Sequence, residues 1–177
     1  ETTLMNERVA LGGGVQKKGS GPIGDLVKLW GERKGSLDPV AHDVMRDRVV
    51  DLWSQAEALR LTNWRAREMS KSGNPGPEGS VGKLMSAEMN QHIYETCMDL
   101  LGADALTYEM GYERKRPDGL RLMGGVGTKY SFLRARANTI EGGTSEVMRN
   151  ILGERVLGLP GDVRVDKDVA WVDVPRN

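Results

Sequence analysis

The chain has 177 residues, with 25 Lys plus Arg balanced by 25 Asp plus Glu, 38% hydrophobic residues, 5% aromatics and one cysteine. That length suits one domain with its own core, and the neutral balance offers no basic excess of the kind that meets nucleic acid or an anionic membrane. The lone Cys97 excludes an intramolecular disulfide framework and a four-cysteine zinc site, and it fits a reducing compartment, so the cytoplasm is the expected location. No apolar run reaches the roughly 18 residues that span a bilayer. No basic-then-apolar signal segment follows Glu1, and a first residue other than Met reads as a processed chain or a piece of a larger protein.

In chain order, Leu4, Met5, Val9, Ala10 and Leu11 predict an opening helix over Thr3 to Gln16 with an apolar side. Gly12-Gly13-Gly14 and Gly19-Ser20-Gly21-Pro22 break it, and a short helix resumes over Ile23 to Arg33. Asp38 caps a helix whose first position is Pro39, where a missing amide costs nothing. Ala41, Met45, Val49, Leu52, Ala56, Leu59, Asn63, Ala66 and Met69 then step by three or four on one face as far as about Lys71. Ser72 to Ser80, rich in Gly and Pro, reads as a loop. A second long helix carries Val81, Leu84, Met85, Met89, Ile93, Cys97, Leu100 and Leu101, with Gly102 as its stop. Thr107 to Thr128 reads as an irregular connection, followed by a short helix over Tyr130 to Ala137. Val147, Met148, Ile151, Leu152, Val156 and Leu157 form an amphipathic last helix ended by Gly158 and Pro160. The tail from Gly161, with Val163, Val165, Val169, Trp171 and Val174, is expected to lie extended against the body. With no repeat and no strand-helix alternation, the expected fold is all-α: an up-and-down four-helix bundle with elaborated loops.

Little of this pattern carries chemistry on its own. His42 and His92 lie on separate helices without metal-ligand spacing, so no metal site is expected, and neither Ser/His nor Cys/His catalysis has local support. The Glu113-Arg114-Lys115-Arg116 run reads as a solvated loop, and Gly124-Gly125-Val126-Gly127 lacks the strand before and helix after of a dinucleotide fingerprint. Gly142-Gly143-Thr144-Ser145-Glu146 reads as a helix start. Its glycines permit close backbone approach, Thr144 or Ser145 caps, and Glu146 suits the positive end. Two readings stay open there: a plain capped helix, or exposed amides presented to a phosphate or carbonyl oxygen.

The run from Phe132 to Pro160, FLRARANTIEGGTSEVMRNILGERVLGLP, strongly resembles the C-terminal end of flavin-dependent acyl-CoA dehydrogenases. The two long helices, Asp99-Leu100-Leu101-Gly102 and an opening helix bearing Glu7-Arg8 are similar to the same family. The resemblance covers essentially the whole chain. It implies a C-terminal helical bundle domain over residues 1–160 and a tail over 161–177, without the family's N-terminal helical and middle β domains.

What the resemblance implies about function is α,β-desaturation of an acyl-CoA thioester, in which a glutamate removes the α proton while a hydride passes to FAD. It further implies an electron-transfer flavoprotein or similar acceptor, and a homo- or hetero-tetramer with flavin between subunits. Relatives place the glutamate either directly before the Gly-Thr of the terminal motif or directly before an arginine on the first helix. Here the first place holds Gly142, with Glu141 one position away, and the second holds Glu7. Glu7 is therefore the expected base, as in the isovaleryl and long-chain types, and Glu141 the alternative. Arg8 resembles a substrate-placing arginine. Arg33, Gly142, Gly143, Thr144 and Glu146 are the implied cofactor contacts. Asp99, Gly102 and Ala103 stand where many relatives have a glutamine-and-glycine stretch, and the glutamine is missing. The competing expectations are a catalytically inert helical oligomerisation module, or the non-catalytic partner of a mixed enzyme such as those acting on steroid side-chain thioesters. The isolated fragment is expected to be inactive.

Overall fold

The structure, a computed structural model, describes residues 16–71, 78–107, 127–161 and 169–174. Among them are five α-helices and no strand: α1 (Pro22–Arg33), α2 (Pro39–Lys71), α3 (Glu78–Leu101), α4 (Thr128–Ala135) and α5 (Ser145–Arg155), with 3₁₀ turns at Lys34–Ser36, Gly102–Leu106, Arg136–Thr139 and Trp171–Asp173. The all-α class is thus as expected. The opening helix with Glu7 and Arg8, the basic run, residues 124–126 of the glycine stretch, Val163 and Val165 lie outside the described residues.

Each helix begins where the chemistry of its first turn allows. Asp38 Oδ1 accepts from the backbone N–H of Val40 and Ala41 at 2.9 and 3.0 Å, so the expected cap stands ahead of Pro39. Pro22 opens α1. The turn before it is compressed: a Cβ on Gly19, whose φ is 69°, would sit 2.7 Å from the Trp53 ring, so the backbone there packs directly on α2. α3 starts at Glu78 and takes in the last three residues of the expected loop. Gly79 and Ser80 are tolerated there because first-turn amides need no intrahelical partner.

All nine stripe residues of α2 are buried or half-buried, and Val49, Leu52 and Leu59 join the core with Ile23, Leu26 and Leu29 of α1. α3 is the hub. α1, α2, α4, α5 and both neighbouring 3₁₀ turns pack against it. Its burial consequently exceeds the single stripe seen in the sequence. Ile93 and Cys97 are fully enclosed, Thr96 is buried too, and Lys83, Ala87 and Tyr94 extend the buried surface beyond the stripe. Gly102 takes φ 56° and ends the helix as expected, although the backbone continues as a 3₁₀ turn.

Two expectations are corrected. α5 is amphipathic only in part: Met148 is fully buried, but Val147, Val156 and Leu157 are exposed, because α5 touches the bundle chiefly through α3 and presents one narrow side to it. In the tail, Trp171–Asp173 forms a 3₁₀ turn instead of an extended segment, and Val172 is 76% exposed. The short helix expected over 130–137 begins two residues earlier and tightens into a 3₁₀ turn after Ala135.

Candidate functional site

The glycine-opened start of α5 is set by its own backbone. Gly142 and Gly143 take φ 66° and 108°, a region that L side chains rarely adopt, so the chain can reverse from the Arg136–Thr139 turn into α5. Thr144 is the N-cap, its Oγ1 accepting from the Val147 N–H at 3.3 Å. Glu146 accepts from its own backbone N–H and from the Thr144 hydroxyl, which holds its carboxyl below the usual range. Ser145 is 5% exposed, and its Oγ has no hydrogen-bond partner. A buried hydroxyl with unused capacity is uncommon and gives this helix start a group able to meet a polar ligand atom.

Glu141, one residue before, is heavily engaged. Arg134 donates through Nη2 to both carboxylate oxygens at 3.1 and 2.7 Å, and Asn138 Nδ2 donates at 2.7 Å. Burial by itself raises the Glu141 carboxyl, but the Arg134 and Asn138 hydrogen bonds, with the positive charges of Arg134 and Lys83, outweigh it and hold it below the usual carboxylate range. A carboxylate so held is a poor proton acceptor near neutral pH. Glu141 also lines a cleft of about 460 Å³ between α1, α2, α3 and α4, together with Trp53, Lys83, Asn90, Tyr94 and Arg134.

The remaining candidates fall elsewhere. Arg33 lies at the opposite end of the bundle, donating to Asp104 at 2.7 Å in an exposed pair. The structure thereby joins Arg33 to the Gly102–Leu106 turn, which contains Gly102 and Ala103 and follows Asp99. From Lys83, which touches Gly143, to Leu101 is roughly 18 residues of α3, about 27 Å at 1.5 Å per residue, so Arg33 and the α5 start do not share a site within one chain. His42 packs against Trp30 with ring centroids 5.1 Å apart and planes tilted by 43°, and His92 pairs with Glu95. Among the described residues no group of three or more His, Cys, Asp or Glu is placed to hold a metal ion. No described helix is long and apolar enough to cross a membrane. Cys97 is buried, and burial pushes its thiol up to about 12, which removes it as a nucleophile.

Residues 1–157 match the family model described as the C-terminal domain of acyl-CoA dehydrogenase. The chain belongs to the acyl-CoA dehydrogenase family. It is 30% identical to the acyl-CoA dehydrogenase IpdE1 of Mycolicibacterium smegmatis over 163 residues, which covers 89% of this chain and 38% of that protein. It is 31% identical over 160 residues to the acyl-CoA dehydrogenase FadE34 of Mycobacterium tuberculosis, covering 90% of this chain and 19% of that one. A variant of the Tcur3481-Tcur3483 steroid ACAD shares the fold, with a TM-score of 0.60, 22% identity, and coverage of 91% of this chain and 39% of that one. The chain therefore spans well under half the length of these relatives.

Sequence reading did not assign roles to Lys83, Asn90, Gln91, Arg134 and Asn138, which build and brace the site, and offered Ser145 only as an alternative cap to Thr144, which is the one that caps. One signal was available: Lys83, Ala87, Asn90, Gln91 and Tyr94 recur at helical spacing as a second, partly polar stripe on α3. Helical spacing alone does not say what such a stripe meets.

Proposed function

We propose that this chain is the C-terminal helical domain of an FAD-dependent acyl-CoA dehydrogenase that desaturates an acyl-CoA thioester between its α and β carbons, with Glu7 as the base. The observation that carries the choice of base is the state of Glu141. It is bound by Arg134 and Asn138 and held below the usual carboxylate range, so using it would require breaking three hydrogen bonds to gain a weak base. Glu7, directly before Arg8, stands at the other location that the family resemblance implies, with Arg8 placing substrate.

The α5 start is chemically suited to a polar cofactor. Ser145 Oγ is buried with unused bonding capacity, and the Gly142-Gly143 backbone carries no Cβ to bar close approach. Gly142, Gly143, Thr144 and Glu146 would hold FAD on one side, and Arg33, at the far end of the bundle, would reach the flavin of a neighbouring subunit. When bound, the flavin supplies the hydride acceptor. Thr144 and Glu146 keep α5 capped, while Arg134 and Asn138 keep the Glu141 side chain out of the reaction. An oligomer, an electron-transfer flavoprotein acceptor and a place in lipid oxidation belong to the same reading.

In the full-length protein, Glu7→Gln should leave FAD bound yet slow bleaching of the flavin absorbance by acyl-CoA by about 10²–10⁴-fold, the usual contribution of a general base. An E7Q protein that keeps most of its reduction rate overturns the assignment. The same loss with Glu141→Gln and not E7Q moves the base to the other motif. Full-length wild type that neither binds FAD nor is reduced by acyl-CoA favours the inert module or the non-catalytic partner.

A further inference from the structure

A lysine rarely lies inside a bundle, and Lys83 is 2% exposed. Its Nζ donates to two backbone carbonyls of the segment that precedes α5, Asn138 O at 3.0 Å and Gly143 O at 2.6 Å. Its charge also faces Glu141. The two carbonyls bracket the whole reversal from the Arg136–Thr139 turn to the α5 cap. Neighbouring residues of α3 hold only the earlier part: Asn90 Nδ2 reaches Asn138 Oδ1 at 3.4 Å, and Gln91 Nε2 reaches Thr139 Oγ1 at 3.0 Å and Ala135 O at 3.3 Å. Gly143 takes φ 108° and its neighbour Gly142 also has φ above zero, so the reversal is built from the residues with the widest backbone freedom. Such a turn needs an external anchor to present a helix start at a fixed place.

We propose that Lys83 is a positioning residue: it pins the Gly142–Thr144 turn to α3 and thereby fixes the start of α5 where the proposed flavin contacts lie. The inference rests on the functional reading above for its consequence, but not for its geometry. A buried donor that satisfies two half-buried carbonyls is costly to remove, since both acceptors lose it at once. Without it the turn loses both Lys83 bonds, while α5 itself stays tied to α3 one turn further on, through buried Met148 and the Arg149–Glu88 pair.

The test is hydrogen exchange on the full-length protein without added FAD, read over residues 142–147, together with FAD titration. Lys83→Met keeps the stem and removes the donors. It should speed exchange of those amides at least tenfold, leave α1 and α2 protected as in wild type, and weaken FAD binding at least tenfold. Lys83→Gln, which keeps one shorter donor, should loosen the same amides to an intermediate degree, and it decides the matter should K83M not fold. Loosening spread equally over α1, α2 and α5 in either variant, or no loosening at 142–147, overturns the positioning role. Local loosening with unchanged FAD affinity overturns the link to the cofactor. A wild-type protein with no FAD affinity instead defeats the functional reading, while the exchange data still decide the geometry.

Discussion

At the scale of single residues, the contrast between Glu141 and the expected base follows from partners. Only Gly142 separates Glu141, the alternative base, from Gly143, yet Arg134 and Asn138 hold it as a structural anion. Because its folded carboxyl lies below the ordinary value, the pair stabilises the fold above about pH 4.5 and the contribution is lost as pH falls through the lowered value. Glu141→Gln should therefore cost about 1–2 kcal/mol at pH 7 in urea unfolding, and the gap between variant and wild type should close as pH is taken from 5 to 3. A gap that stays constant across that range would show that the ion pair contributes nothing. The neutral residue count gave no hint of this cluster. It brings Arg134, Asn138, Glu141 and Lys83 together through the turn between α4 and α5.

At the scale of elements, the ends of α1, α2 and α3 at Arg33, Lys71 and Leu101 were legible, and the starts less uniformly so. Asp38-Pro39 announced α2, and both first-turn hydrogen bonds are present. Asp38→Ala should lower stability by about 1 kcal/mol. Thr144→Ala should cost less, about 0.5 kcal/mol, since its cap bond is long at 3.3 Å and the Glu146 carboxylate still accepts from its own N–H. Urea midpoints of the two variants check that order, and a larger loss for T144A would mean the hydroxyl holds more than the helix start. Where α3 begins and where α4 passes into a 3₁₀ turn could not be read from composition. Gly79, Ser80 and Arg136 suit either state, and packing on neighbouring helices selects one.

For the molecule as a whole, stability is concentrated on α3. Ile93 and Cys97 are fully enclosed between α1, α2 and α4, while Leu106 beyond the helix is 90% exposed. Ile93→Ala should cost about 2–5 kcal/mol through the cavity it leaves, and Leu106→Ala less than about 0.5 kcal/mol. Cys97 supplies its own probe. With its thiol buried and pushed up to about 12, it should resist thiol reagents until the bundle opens, so labelling should accelerate in I93A and not in L106A. Equal labelling rates in the two variants would contradict the central place given to α3.

The sequence by itself determined which long stretches are helical, which face of α2 is apolar, where Asp38, Gly102 and Gly158 delimit helices, and the family to which the Phe132–Pro160 run belongs. These are local properties, written in spacing of three or four residues and in the backbone freedom of glycine. Tertiary structure alone decided that α3 is buried on more than one side, that Lys83 reaches Gly143 sixty positions away, that Arg33 meets Asp104 across seventy-one, and that Glu141 is occupied. Such meetings depend on how helices cross and which loops reverse between them, and a residue's own neighbours in sequence carry no record of that.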